Sequence, residues 1–382
     1  MRIVHIITRL IIGGAQENTV LTCRGLAQHG HEVTILTGPE TGPEGDMFAT
    51  AKDYGIRLGI IKNLRRDISP YRDIAAIPEL VLALRRLAPD VVHTHCSKAG
   101  ILGRLAARLA GVKVVVHTIH GLPFFSYQSR ITNQVYICAE RIASSWADKI
   151  VTVADDMIRQ ACAARIAPGK KFITVYSGLE VDAFSPNTAR GRQIRQCLGI
   201  PTEAFVVGKV ARLAPLKGHK FLLEALKQLM SRYENLWCLL VGDGILRPTI
   251  EAQLRRNGLA ERVRLTGLLD PAQIPEMLWA MDMLVHTSLH EGLPRAVVQG
   301  LLAGLPVAAF DLDGAGEVID PNRTGYLLKP GSVPDLVRAI ESVLAGTGPV
   351  KAPSAQVRAE LADRFCWERM VDILEKLYYS ML

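Results

Sequence analysis

The sequence predicts an α/β protein of two tandem Rossmann-like domains, each a doubly wound parallel sheet, facing a cleft. Short apolar runs alternate with helical patterns across short turns, and the alternation restarts near residue 200. The length agrees, since 382 residues suffice for two ordinary domains.

In the first half, residues 3–7 read as the opening strand. They lead to Gly13-Gly14 and a helix over about 15–28 that stops at Gly30. A strand at 32–37 follows, then helical spacing over 74–87, with Pro89-Asp90 opening a strand at 91–93. A helix over 100–109 ends at Gly111, and strands at 112–117, 149–153 and 172–175 complete the series. The second half gives a strand at 205–210, a glycine-bearing loop, a helix over 219–232 and a strand at 237–241. Gly242-Asp243-Gly244 then leads to a helix over about 248–257. Strands at 263–265, 283–286, 307–309 and 325–328 follow, and a last helix over about 367–377 comes after the Gly/Pro/Ala-rich stretch 345–355. The expected division is a first domain at 1–182 and a polar linker at 183–199. A second domain at 200–365 follows, with a C-terminal helix at 366–382 packing back on the first. Loops at the carboxyl ends of the strands should line the cleft.

Composition narrows the class. Apolar residues make up 49% and charged residues 21%, which argues for packed cores and against disorder. No apolar run reaches the roughly 18 residues of a membrane span, and the start lacks an export cleavage site. Seven cysteines without a C-x-x-C pair suggest reduced thiols in a cytoplasm rather than structural zinc. The net charge of +8 is uneven: residues 1–180 hold 22 Lys/Arg against 15 Asp/Glu, and the remainder 23 against 22. A basic first half suits phosphates or an anionic membrane surface, although an ordinary high isoelectric point accounts for it equally well. Few aromatics and no dense basic block argue against nucleic acid.

The most informative stretch is His290-Glu291-Gly292-Leu293-Pro294, with Gln299 eight residues after the acid. It follows a buried-strand pattern and opens a helix over 294–303, so a carboxylate and helix-start amides meet at a strand's carboxyl end. Arg212 and Lys217-Gly218 follow the first strand of the second domain. Two fixed cations there suit a diphosphate, Arg by forked hydrogen bonds and Lys as a point charge, although two solvated surface cations are also a reading until Glu291 is set beside them. Gly13-Gly14 can bring backbone close to a phosphate, yet a plain tight turn is an equal reading. No G-x-G-x-x-G follows the first strand and no acid ends the second, which counts against a dinucleotide reductase. His120-Gly121 ends a first-domain strand, where a lone histidine is more often structural. His286 and His290 flank Glu291, but the spacing of a helix-based zinc site is absent, so no metal is expected. Asp311-Leu312-Asp313 reads as a turn.

Taken together in this order, Gly13-Gly14, His120-Gly121, Arg212 with Lys217-Gly218, and Glu291-Gly292-Leu293-Pro294 resemble the retaining family 4 glycosyltransferases of GT-B fold. The match spans nearly the whole chain and is most similar to bacterial members that build surface polysaccharides, through Ser97-Lys98-Ala99-Gly100 and the segment 120–124. The segment 175–186 resembles the family's domain junction. The resemblance implies a nucleoside diphosphate sugar as co-substrate, with UDP favoured, and no required cofactor. Arg212 and Lys217 would hold the diphosphate, and Gly13, Gly14 and Gly218 would let backbone approach it. Glu291, with the amides of Gly292 and Leu293, would bind sugar hydroxyls. His120 would contact the sugar near the reacting carbon, and Leu268 would lie beside the base. The family usually carries a second Glu where this chain has Gln299, which weakens the grip on the nucleotide ribose. Arg65, Arg66 and Lys98, with the Arg85-Arg86 pair, put cations near apolar helical surface. That suits a saccharide or polyprenyl-diphosphate-linked acceptor or a membrane surface at the inner face, although ordinary solvated helix ends are an equal reading. Rival readings are a nucleotide-sugar epimerase, for which no paired catalytic acids are visible, and a nucleotide-sugar-binding protein without turnover.

Overall fold

The computed structural model describes residues 1–39, 41–42, 45–321, 323–347 and 353–382. They form two compact units, Met1–Leu179 with Phe365–Leu382, and Glu180–Arg364.

Unit 1 alternates strands and helices: β1 (Arg2–Ile7), α1 (Gly14–Gln28), β2 (Glu32–Thr37), α2 (Phe48–Asp53), β3 (Arg57–Ile60), α3 (Pro70–Leu87), β4 (Val91–His95), α4 (Ser97–Ala110) and β5 (Val114–Ile119). It continues with α5 (Arg130–Ser144), β6 (Lys149–Thr152), α6 (Asp155–Ala163) and β7 (Phe172–Thr174). The sheet order is β3-β2-β1-β4-β5-β6-β7, and its pairings are parallel. The direction of winding reverses between β1 and β4. Loops diverge there at the strands' carboxyl ends and leave a crevice, the usual place for a ligand in such sheets.

Unit 2 contains α7 (Thr188–Cys197), β8 (Phe205–Val210), α8 (His219–Met230), β9 (Leu236–Val241), α9 (Arg247–Arg256), β10 (Val263–Leu265), α10 (Ile274–Trp279) and β11 (Met283–His286). After these come α11 (Arg295–Leu302), β12 (Val307–Phe310), β13 (Gly325–Leu328), α12 (Val333–Leu344) and α13 (Ala355–Phe365). The parallel order is β10-β9-β8-β11-β12-β13, with the reversal between β8 and β11. Both sheets are covered on two faces, and β4, β5 and β12 are buried along their whole length.

The expected linker at 183–199 is corrected. Residues 188–197 form α7, which packs on α10 inside unit 2. A Cβ on Gly191 would lie 2.1 Å from the Trp279 carbonyl oxygen, and Arg195 pairs with Asp282 at 2.8 Å. The stretch is polar because a short surface helix buries only Gly191 and Ile194. The chain therefore crosses at Leu179–Glu180 and returns at Arg364–Phe365. Residues 348–352 of the Gly/Pro/Ala-rich stretch lie outside the described residues.

The last helix, α14 (Trp367–Tyr379), belongs to unit 1. It lies against α1, where Gly25 makes room: a Cβ there would meet Val371 at 2.6 Å and Trp367 at 2.8 Å. Met370, Val371, Leu374 and Tyr378 enter the core that contains β1 and β2. Among the described residues, no helix is long and apolar enough to cross a membrane, and the seven cysteines are free thiols.

Candidate active site

The switch point of unit 2 gathers the charged residues. The loop after β8 carries Arg212, Lys217 and Gly218, and the loop after β11 carries Thr287, His290 and Glu291. Lys217 Nζ donates to Glu291 Oε1 at 2.6 Å, with each side chain 21% exposed. Burial alone would raise the Glu291 pKa, but the Lys217 ammonium overrides it and holds the carboxyl well below the usual carboxylate range. An ionised carboxylate keeps lone pairs for further donors, and one bond leaves Lys217 two N–H groups.

Several contacts fix this pair. Gly218 sits at φ +65° with room for no side chain, since a Cβ would fall 1.9 Å from the Thr287 carbonyl oxygen. Thr287 Oγ1 donates to the Gly218 carbonyl at 2.9 Å and accepts from Lys209 Nζ at 3.0 Å. Lys209 is fully buried on β8, and burial with the neighbouring Lys217 charge brings it down to about 7, while Glu291 pulls the other way. Asp313 Oδ2 accepts from the Glu291 backbone N–H at 2.7 Å, and the Gly314 N–H donates to the Gly292 carbonyl at 3.0 Å. His290 lies 3.5 Å from Asp313, whereas His286 Nε2 lies 3.3 Å from Glu291 outside good hydrogen-bond geometry. Thus the two histidines flanking Glu291 point to different acids, an arrangement unlike a shared metal shell.

Arg212 stands exposed on its loop. Its carbonyl accepts from His219 Nε2 at 3.0 Å, and burial lowers His219 to about 4. A carbonyl can only accept, so neutral His219 carries its proton on Nε2. Gln299 is half-buried on α11, Leu293 is buried before that helix, and Leu268 is exposed after Gly267.

In unit 1, Gly13 precedes α1 and Gly14 begins it. The switch point opens on a cavity of about 410 Å³ lined by Arg9, Arg66, Lys98, Ile68, Tyr136 and Ser97, among others. Lys98 pairs with Asp73 at 2.7 Å and also donates to the Asp67 carbonyl. Arg65 lies on the same segment as Arg66 but does not line this cavity. Ile68, Tyr71 and Ile74 are exposed nearby in sequence.

His120 follows β5 and joins a buried set of histidines. His120 Nε2 lies 3.1 Å from His95 Nδ1, and His95 Nε2 lies 2.9 Å from His5 Nδ1. The β1–β4 register sets His5 beside His93, whose ring nitrogens meet the hydroxyls of Tyr378 (2.5 Å) and Thr118 (2.6 Å). Burial lowers His5 to about 3 and takes His93, His95 and His117 well below 6.5. Motif reading did not single out Lys209, Thr287, His5, His93 or His95. For Lys209, His5, His93 and His95 the signal was a polar residue within a largely buried parallel strand, since buried polar groups are the informative ones; Thr287 lies just past β11.

Two doubly wound parallel sheets, each with a switch point, define a two-domain α/β protein of Rossmann-like type. Residues 12–183 match the family description Glycosyltransferase Family 4, and residues 191–359 match Glycosyl transferases group 1. A 2-deoxystreptamine glucosyltransferase of Streptomyces kanamyceticus is 32% identical over 301 residues, covering 76% of this chain and 77% of the relative. UDP-Gal:alpha-D-GlcNAc-diphosphoundecaprenol alpha-1,3-galactosyltransferase of Escherichia coli is 27% identical over 386 residues, 100% of this chain and 97% of the relative. The crystal structure of Anabaena HepE in complex with UDP-glucose superimposes with a TM-score of 0.85 at 21% identity, with full coverage of both chains. The chain belongs to glycosyltransferase family 4 and has the GT-B fold. It is an enzyme of that class, which sets aside the epimerase and binding-only readings.

Proposed function

We propose that this glycosyltransferase moves a hexose-type sugar from a UDP-sugar to a hydroxyl of a saccharide acceptor and keeps the anomeric configuration. The observation that carries the reading is the Lys217–Glu291 pair at the switch point of unit 2. Lys217 and Arg212 hold the donor diphosphate and stabilise charge on the leaving oxygen, so no metal is needed there. Glu291, ionised by its lysine, accepts from sugar hydroxyls beside the amides of Gly292 and Leu293. The bond from the anomeric carbon to the diphosphate oxygen breaks as the acceptor oxygen bonds on the same face. The departing phosphate takes the acceptor's proton, and the protein supplies position and field. His120 sits by the transferred sugar, and Leu268 beside the base.

Unit 1 receives the acceptor in this reading. Its cavity joins the cations of Arg9, Arg66 and Lys98 to apolar walls, a combination suited to a diphosphate on a lipid. The names of the E. coli relative and of the UDP-glucose complex favour UDP and a lipid-linked saccharide. Exposed Ile68, Tyr71 and Ile74 beside Arg65 and Arg66 suit work at the cytoplasmic membrane face.

Titration calorimetry with UDP, GDP and ADP is expected to show tightest binding of UDP. Incubation with UDP-sugars and lipid extract should give a product whose anomeric proton coupling matches the donor's. Arg212→Ala and Lys217→Ala should each lower turnover on the order of 10²–10³-fold while the protein stays folded. Full rates in both variants would remove the assignment.

A further inference from the structure

His5, His95 and His120 form a line of imidazoles from the core of unit 1 to the residue placed by the transferred sugar. His95 uses both ring nitrogens, Nε2 toward His5 and Nδ1 toward His120, at 2.9 and 3.1 Å. His95 is 1% exposed and His5 fully buried, and their lowered pKa values keep both neutral near pH 7. A neutral imidazole has one donor nitrogen and one acceptor nitrogen. The two bonds must therefore run in the same direction. If His5 donates from Nδ1, His95 donates from Nδ1 and the His120 Nε2 accepts, which leaves the His120 proton on Nδ1. If the chain runs inward, all three carry it on Nε2. The ends of the line are unequal: His5 Nε2 is buried without a hydrogen-bond partner, while His120 is half-buried.

The neighbours hold the rings in place. His93 stacks on His95, with ring centroids 4.4 Å apart, and both its nitrogens are occupied by the Tyr378 and Thr118 hydroxyls. The His5 and His95 rings are 12° from parallel with centroids 5.2 Å apart, in keeping with an edge-to-edge hydrogen bond. His5, His93 and His95 lie close enough to suggest a metal centre. Hydroxyls already occupy both His93 nitrogens, however, and His5 and His95 spend facing nitrogens on each other, so hydrogen bonding accounts for the cluster.

We propose that His95, backed by His5, is a positioning residue that fixes whether the His120 Nε2 facing it donates or accepts, in the same sense that His5 and His95 hold. The catalytic part of this proposal rests on the reading that places His120 at the transferred sugar. A fixed tautomer decides whether His120 offers the sugar an N–H or a lone pair, and a ring free to exchange would offer each only part of the time.

The test is ¹⁵N NMR of the full chain labelled at histidine, together with kinetics. In the native protein, His5, His95 and His120 are each expected to show one protonated and one bare nitrogen, in the same sense in all three rings. In His95→Leu, which keeps an apolar side chain in this buried site, His120 should show averaged nitrogens. Turnover should then fall on the order of 10–100-fold, with donor KM changed much less. His95→Asn, whose amide occupies the place of Nδ1, should restore much of the turnover. Opposite senses in the three rings, or averaged shifts in the native protein, would overturn the chain itself. If His120→Ala abolishes turnover but His95→Leu leaves it intact, the positioning role falls and the His120 reading survives. If His120→Ala retains full turnover, the site reading fails while the shared tautomer can still be seen. One equivalent of transition metal in purified protein, lost in His5→Leu, would overturn the hydrogen-bonded chain in favour of a metal centre.

Discussion

Each unit gathers polar groups beside its central strands, but unit 2 gathers charges and unit 1 gathers neutral rings. In unit 2, Lys217 and Glu291 face each other with part of each side chain in solvent, and Lys209 lies behind them. In unit 1, four histidines are sealed in the sheet and meet hydroxyls, a carbonyl and one another. A partly solvated ion pair retains some hydration and stays ready for an anionic ligand. A sealed imidazole avoids the cost of a buried charge only while it stays unprotonated. Acid should therefore separate the two units.

The largest expected effect is in that response. The four imidazoles of unit 1 have folded pKa values below their unfolded value of about 6.5. Above that pH both states are neutral and the contribution is complete. As pH falls, the unfolded chain takes protons that the folded unit refuses, and stability is lost on the order of 5 kcal/mol per pH unit. In unit 2 His219 and His286 act in the same window, and the slope from these two is about half. Glu291 adds its loss only once pH drops through the carboxylate range, and Lys209 acts between about 7 and its unfolded value of 10.5. Hydrogen exchange followed by unit from pH 7.5 to 5 should show unit 1 opening first, and equal opening would break the contrast.

Unit 1 also holds one sealed ion pair, Arg104–Glu140 at 2.7 Å, with the side chains 0% and 3% exposed. Arg104→Ala should cost about 3–5 kcal/mol in denaturant unfolding, because Glu140 is left charged and alone. Replacing both residues with Met should recover most of the loss. In unit 2, Glu291→Ala should lower stability by about 1.5–3 kcal/mol, less than Arg104→Ala because solvent reaches Lys217. Equal losses in calorimetry would mean that the unit 2 pair is as dry as the unit 1 pair. The smallest effect is expected of Gln299→Glu, which should tighten UDP by about 1 kcal/mol, roughly fivefold, if the side chain meets the ribose. Unchanged affinity would detach position 299 from the nucleotide.

The alternation of strands and helices was legible because buried parallel strands are short, apolar and bounded by glycine or proline. The strands at 32–37, 205–210, 263–265, 283–286 and 325–328 match the structure end for end. α7 was missed because its apolar face is only Gly191 and Ile194, too narrow for a periodic signal. β3 and α2 were missed for a similar reason, being short and only partly buried, β3 as the edge strand of its sheet. In the candidate site, Lys217 and Glu291 were named from motifs, and the structure brings them together. What supports them could not be named: Lys209, Thr287 and Asp313 act through register and loop closure, which depend on residues 22 to 78 positions apart. The imidazole line was hidden likewise, since His5 and His95 are separated by 90 residues and meet only when β1 pairs with β4.

The placement of α14 has a consequence for how the chain is made. Phe365–Leu382 supply Met370, Val371, Leu374 and Tyr378 to the first unit's core, yet they are translated after all of unit 2. During synthesis the second unit can therefore gather its full complement of residues first. The first waits on the ribosome with the groove along α1 uncovered and His93 without its tyrosine hydroxyl. A translation stop shortly after residue 364 would leave a complete second unit joined to a first unit whose core still lacks these side chains.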